Sequence, residues 1–250
     1  MRVYFAAAAA TISVTGLYFA LQPHSGLASL SSNITEPAFS LVALLSSLYT
    51  VKRYGSVRAK GIVRCFLWLT VAYFLWFLGE ATWSFYVLCL GMSVPYPSIA
   101  DIFWLAGYPS ILFAMFVYLR PFRQAVDSKR LASALVISAI LTAATVMFLV
   151  APVLQGSIEP VEQVIDFAYP IFDVALLFSS ILGILAFAGG KIGRTWYCLA
   201  IGAAFMAIAD IMFSYTAALG VYYEGHPLEL FYHYAYVMFA LATYEHSKAI

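Results

Sequence analysis

Apolar residues run in eight stretches separated by short polar or charged segments, at about 3–22, 37–51, 63–90, 99–119, 131–153, 162–188, 195–219 and 228–245. A membrane-spanning helix needs roughly 20 mostly apolar residues. The pattern therefore predicts an all-α integral membrane protein with eight transmembrane helices and a single membrane domain over 1–250. The charges between the stretches set its orientation. Lys52, Arg53, Arg58, Lys60 and Arg64 fall between the second and third stretches. Arg120, Arg123, Lys129 and Arg130 fall between the fourth and fifth, and Lys191 and Arg194 between the sixth and seventh. Arg2 and Lys248 stand at the two ends. All thirteen basic residues thus lie on one side, while the opposite loops (about 23–36, 91–98, 154–161 and 220–227) carry none. The positive-inside rule places both termini in the cytoplasm of a cell-membrane protein. An odd number of helices would have scattered these charges. Arg2 and the alanine run after it also resemble a secretory leader, but the repeat described below needs this helix.

Composition narrows the class. Apolar residues make up 64% of the chain and charged residues 10%, against about 45–50% and about 25% in soluble domains. A soluble enzyme, a nucleic-acid binder and a disordered tail are excluded. The net charge of +1 creates no overall field for an anionic partner. Cys65, Cys89 and Cys198 have no paired spacing, so neither a disulfide framework nor a thiolate metal site is indicated.

The chain also reads as two parallel four-helix repeats, about 1–120 and about 129–250. Pro37-Ala38-Phe39 followed by Ser46-Ser47 matches Pro170-Ile171-Phe172 followed by Ser179-Ser180 at an offset of 133. Phe19 and Pro23 match Phe148 and Pro152 at 129, Glu80 and Ser84 match Asp210 and Ser214 at 130, and Asp101 and Tyr108 match Glu229 and Tyr236 at 128. An even number of spans in each half makes the halves parallel, with a pseudo-twofold axis along the membrane normal.

Acids inside apolar stretches are the candidate chemistry. Glu80, Asp101, Asp166, Asp173, Asp210 and Glu229 lie in or at the lip of a span. A charge at the bilayer centre costs about 2.5–3.5 kcal/mol on insertion scales, so such residues face protein or a cavity. Glu80 lies 16 residues beyond Arg64, and Asp210 lies 16 beyond Arg194, about 24 Å from the cytoplasmic edge. All six acids gather in the outer half, where no basic residue neutralises them. They must be protonated, paired with a cation, or hydrated in an outward-facing vestibule. Asp101, Asp166 and Glu229 stand at helix starts, where capping is a sufficient reason for an acid. Glu80, Asp173 and Asp210 lie inside spans, where interhelical hydrogen bonding is the alternative.

Two further features lie at the same end. His226, Glu229 and His233 are spaced three and four apart on one helix face, a donor set suited to a transition-metal cation. Asp101, Trp104 and Tyr108 share a face in the first half, and Tyr222, Tyr223, Tyr232, Tyr234 and Tyr236 crowd the second. Such aromatics form either an interfacial belt or, with the acids, a pocket for an organic cation or amphiphile. The five lysines lie in loops or at the C-terminus, so no retinal Schiff base is expected, and paired intramembrane histidines for a bis-His haem are lacking. Asn33-Ile34-Thr35 forms a glycosylation sequon on the outer side.

The run Leu78-Gly79-Glu80-Ala81-Thr82-Trp83, with Pro97-Ser98-Ile99-Ala100-Asp101 through Tyr108-Pro109, resembles the multi-pass membrane input regions of prokaryotic signalling proteins that end in diguanylate cyclase or phosphodiesterase domains. The run from Ala209-Asp210 through Gly225 to Glu229 is similar to the second half of that region. The resemblance implies a sensory or ligand-binding module. It covers most of 60–245, and this chain stops at Ile250 without an output domain.

The expected function is therefore non-enzymatic: a membrane module with an outward-facing acidic and aromatic pocket for a cation, metal or small amphiphile, reporting to a cytoplasmic or membrane partner. Its ligand-binding residues would be Glu80, Asp101, Trp104, Tyr108, Asp173, Asp210, Glu229, His233 and Tyr236. The alternatives are a proton- or cation-coupled transporter, a structural subunit of a membrane complex, and a metal-dependent membrane hydrolase using His226, Glu229 and His233. The expected partners are the lipid bilayer and a cytoplasmic or membrane protein, and no nucleic acid is expected.

Overall fold

A computed structural model describes residues 2–56, 60–125, 127–145, 160–187 and 189–248. Among these lie eight long helices: α1 (Arg2–Leu21), α2 (Ser25–Ser56), α3 (Lys60–Ser84), α4 (Ile99–Leu119), α5 (Ser128–Thr145), α6 (Pro160–Phe187), α7 (Gly193–Ala218) and α8 (Leu230–Lys248). Six of them, α1 to α4 with α6 and α7, are long and apolar enough to cross a membrane. In α5 the described residues hold a shorter apolar run, Leu131–Ile140. In α8 four tyrosines, two histidines, Glu245 and Lys248 dilute the apolar content of 19 residues. Arg58, the 154–159 part of one expected loop, and Phe148 and Pro152 of one repeat match lie outside the described residues.

The outer surface is apolar. Phe5, Ile12, Ile102, Phe116, Val164 and Ile171 are each more than 60% exposed. So much exposed hydrocarbon would aggregate a water-soluble domain and is what lipid tails accept. Such helices gain little from hydrophobic burial against one another and associate through close packing and interhelical hydrogen bonds. Both devices are present. Ser46 Oγ meets Thr243 Oγ1 at 2.7 Å and donates to Ala240 O at 2.8 Å, tying α2 to α8. Ser47 Oγ and Thr70 Oγ1 meet at 2.6 Å between α2 and α3. Small residues let rings approach. Trp76 lies against Gly107, Trp104 against Gly79, Phe239 against Gly202 and Trp196 against Gly183.

The helices pack in a regular order. α2 contacts α3, and α3 contacts α4. α6 contacts α7, and α7 contacts α8. Between these groups, α2 packs on α8 and α4 packs on α6, while α1 lies on α2 and α8, and α5 on α6.

One expected boundary moves. The apolar pattern starts the second span at about 37 and places a loop over 23–36. In the structure Pro37 is interior to α2, as Pro170 is to α6. The helix begins twelve residues earlier, so residues 25–36 are a membrane-side helical segment and not a loop. This also corrects the sequon. Asn33 is 2% exposed in the helix, and its Nδ2, the atom a glycan would occupy, donates to Ser29 O and to Glu224 Oε2, both at 2.9 Å.

The tightest helix approach gives a test. A Cβ at Gly183 would lie 1.8 Å from Trp196 Cε3, and that indole is itself stacked on Phe187 with 10° between the planes. Gly183→Ala should cost about 1–3 kcal/mol through overpacking, read as a lowered thermal midpoint of the detergent-solubilised protein.

Candidate functional site

Two helix pairs place their polar residues at the same spacing. On α3 Trp76, Glu80 and Trp83 stand at i, i+4 and i+7, and on α7 Met206, Asp210 and Phe213 repeat that spacing 130 residues later. On α4 Asp101, Trp104 and Tyr108 stand at i, i+3 and i+7. Glu229, Tyr232 and Tyr236 repeat it at the start of α8, 128 residues on. Residues so spaced share one helix face. All twelve line one chamber, together with Glu36 of α2, Tyr169 of α6, and Tyr96, Ser214 and Tyr222. Counted out to its mouth, the space is about 790 Å³. Five of its lining residues are acids, and none is Lys or Arg. A wider outer recess shares Trp83, Tyr96, Phe213 and Tyr222 with the chamber and adds Glu162, Asp166 and Glu224.

Hydroxyls hold most of these carboxylates. Tyr236 OH donates to Glu80 Oε1 at 2.6 Å, and Tyr232 OH donates to Asp210 Oδ1 at 2.8 Å. Tyr169 OH donates to Asp101 Oδ1 at 2.9 Å. Asp101 Oδ2 accepts from Ser98 N at 2.7 Å, while Ser98 Oγ accepts from Ala100 N, so a capping box starts α4. Glu229 is the most fully satisfied acid. Its Oε2 accepts from Ser32 Oγ at 2.6 Å and Tyr18 OH at 3.1 Å, and its Oε1 from Tyr222 OH at 2.8 Å and Gly225 N at 3.0 Å. Gly225 can do this because it takes a positive φ of 84° and lies against Ala28, where a Cβ would come within 2.8 Å.

Tyr108 shows a shortage of protons. Its hydroxyl lies 2.7 Å from Asp173 Oδ1 and 2.9 Å from Asp210 Oδ2. One hydroxyl carries one hydrogen and can satisfy only one of these oxygens. The second contact requires a proton on one of the two acids. Asp173 Oδ2 and Glu36 Oε1 are buried without a hydrogen-bond partner.

In the loop between α7 and α8, Glu224 accepts from Trp83 Nε1 at 3.1 Å and from Asn33. Burial pushes its carboxyl above the ordinary 4.5, and the donors from Asn33 and Trp83 pull it back only in part. Burial likewise raises Tyr222, with Glu229 and Glu224 adding to the effect. Tyr96 donates to Asp166 in the outer recess, and burial raises its hydroxyl as well.

The structure thus gathers Glu80, Asp101, Trp104, Tyr108, Asp210, Glu229 and Tyr236 at one chamber, with Asp173 joined to it through Tyr108. His233 is a correction. It is fully buried behind the chamber wall, with Nδ1 at 3.0 Å from Glu229 O and Nε2 at 2.9 Å from Thr35 Oγ1, between the rings of Tyr18 and Phe39. The metal set of His226, Glu229 and His233 is a second correction. His226 Nδ1 accepts from Leu228 N and caps the turn Pro227–Glu229, and the other two are engaged as described. Among the described residues no group of three His, Cys, Asp or Glu side chains could hold a metal ion. A helical face brings three Cα positions into line, but here each side chain finds a different partner.

Glu36, Tyr169 and Glu224 were missed by sequence reasoning. Glu36 and Glu224 fell in expected loops, where an acid carries no signal. Glu36 and Tyr169 are related by the 133 offset that Pro37 and Pro170 already show, so the repeat could have found both. Compared with protein-family models, curated proteins and solved structures, the chain gives no match.

Tyr108→Phe removes the hydroxyl that two buried acids share. Each lost hydrogen bond to a charged group is worth about 1.5–3 kcal/mol, so this variant should melt well below the wild type, whereas Tyr223→Phe, in the exposed loop, should change little. Glu224 supplies a pH test. The folded protein keeps a proton on Glu224 that the unfolded chain releases near pH 4.5, so stability falls as pH rises from there through the raised value. Glu224→Gln should flatten that part of a plot of melting midpoint against pH.

Proposed function

We propose that this chain is a non-enzymatic membrane module that binds a small cationic or amphiphilic ligand in the acid-lined chamber and passes the bound state to a protein partner. The observation that carries this reading is that five carboxylates surround one cavity with no basic residue among its walls. Low dielectric around such a site strengthens its attraction for positive charge.

The topology that suits this role is eight spans in two parallel repeats, with both termini cytoplasmic and the chamber facing outward. Reciprocal bonds support the repeat. Tyr236 of the second half serves Glu80 of the first, and Tyr108 of the first half serves Asp210 of the second. Charge segregation supports the orientation. Arg194 and Lys248 pair with Glu245 at 3.9 and 2.6 Å, and His246 lies between the hydroxyls of Tyr54 and Tyr118, all far along their helices from the chamber acids. The resemblance to membrane input regions of signalling proteins suits a sensory role.

Titration calorimetry on the purified protein, with sodium, calcium, manganese and tetramethylammonium salts at constant ionic strength, tests the reading. At least one cation should bind saturably, and Glu80→Gln combined with Asp210→Asn should weaken it at least tenfold. If no cation binds, or if the double variant binds unchanged, the proposal fails. Transport of the same cation is the second reading, favoured by the Tyr54–His246–Tyr118 polar group toward the opposite end. Flux of that cation in proteoliposomes would establish it, and a sensor should show none.

A further inference from the structure

Glu36 stands apart from the other chamber acids. It lines the cavity, is only 8% exposed, and its Oε1 has no partner. The charged groups facing it, Glu229, Glu80 and Glu224, are all acids. At the related position in the second half stands Tyr169, whose hydroxyl serves Asp101. The first half thus carries a carboxyl where the second carries a donor. Glu229, the counterpart of Asp101, draws its four donors from elsewhere. This exchange leaves a cavity-lining acid with one buried carboxyl oxygen that accepts from nothing, a costly arrangement unless a cation offsets it.

The surroundings select what fills it. A compact divalent ion needs several oxygens converging on one point, six to eight for calcium. No three acid or imidazole side chains among the described residues meet that need, and Asp101, Asp210 and Glu229 already accept from hydroxyls and N–H groups. The cavity that Glu36 lines is also walled by aromatic rings, Trp76, Trp83, Trp104 and Phe213 among them, and Trp83 and Trp104 lie 5.7 Å apart at 39°. Indole faces attract a diffuse cation, above all an organic ammonium.

We propose that the chamber takes an organic ammonium, an amine or quaternary head group on an apolar body, with Glu36 as its carboxylate partner and the Trp83 and Trp104 rings as its cage. This inference rests on the reading of the chamber as a cation site. The head group could belong to a soluble amine or to a membrane lipid, since the recognising chemistry is the same.

The test uses the full chain in detergent, with quenching of tryptophan emission and calorimetry as readouts, and with tetramethylammonium, hexylamine, calcium and manganese as probes. Tetramethylammonium or hexylamine should bind saturably. Glu36→Gln should weaken that binding at least tenfold while melting no lower than the wild type, and Trp104→Leu should weaken tetramethylammonium by a similar factor. Competition in phosphatidylethanolamine nanodiscs, absent in phosphatidylglycerol nanodiscs, assigns the head group to lipid; equal binding in both assigns it to a soluble amine, and either result meets the proposal. Should Glu36→Gln not fold, the Trp104→Leu result decides alone. Calcium or manganese binding without either ammonium overturns this inference and leaves the cation site standing. Unchanged ammonium binding in the variants overturns the roles of Glu36 and Trp104, and failure of every cation removes both readings.

Discussion

Each carboxylate carried into the apolar interior must find a donor there, because no water is present in lipid to supply one, and this constraint organises the bundle. Four of the five acids lining the chamber are held by tyrosine hydroxyls, most of them from other helices. A hydrogen bond to a charged group is stronger than one between neutral groups, and losing it strands a buried anion. The acids therefore dictate how α3, α4, α6, α7 and α8 register against one another. Apolar packing alone would not, since lipid tails compete for the same faces.

The same constraint explains why the chamber exists. Tyrosine reaches a carboxylate from a distance, with its ring as spacer, so acids on opposing helices are satisfied without closing the space between them. Trp76 packs on Tyr73 and Phe239, while Glu162, Asp166 and Glu224 line the adjoining recess.

The residues at the 128 and 130 offsets are alike in spacing and unlike in detail. Trp76, Glu80 and Trp83 repeat as Met206, Asp210 and Phe213, and the hydroxyl-to-acid exchange between halves is reciprocal. The differences lie where chemistry would. Tyr169 gives way to Glu36, and Trp104 to Tyr232. One carboxyl, Glu36, and three indoles, Trp76, Trp83 and Trp104, have no like residue at the related positions.

Much of this was legible in the chain itself. Long apolar runs, acids far from the basic loops, and the near-constant offsets between Glu80 and Asp210 and between Tyr108 and Tyr236 are properties of local composition and spacing. They are fixed before the chain folds. The sequence alone thus determined an all-helical membrane protein with acids and aromatics gathered at one end. It could not tell that Pro37 lies within a helix, since neighbouring helices can accommodate an interior proline, and so it lost Glu36 to a supposed loop. Nor could it tell that His233 would turn to Thr35, or that Tyr108 would stand between Asp173 and Asp210. Those partners lie 65 to 198 residues apart in the chain. A hydrogen bond depends on a few tenths of an ångström that only the packed helices set, so which carboxyl oxygens stay unpaired, on Glu36 and Asp173, was decided by tertiary structure.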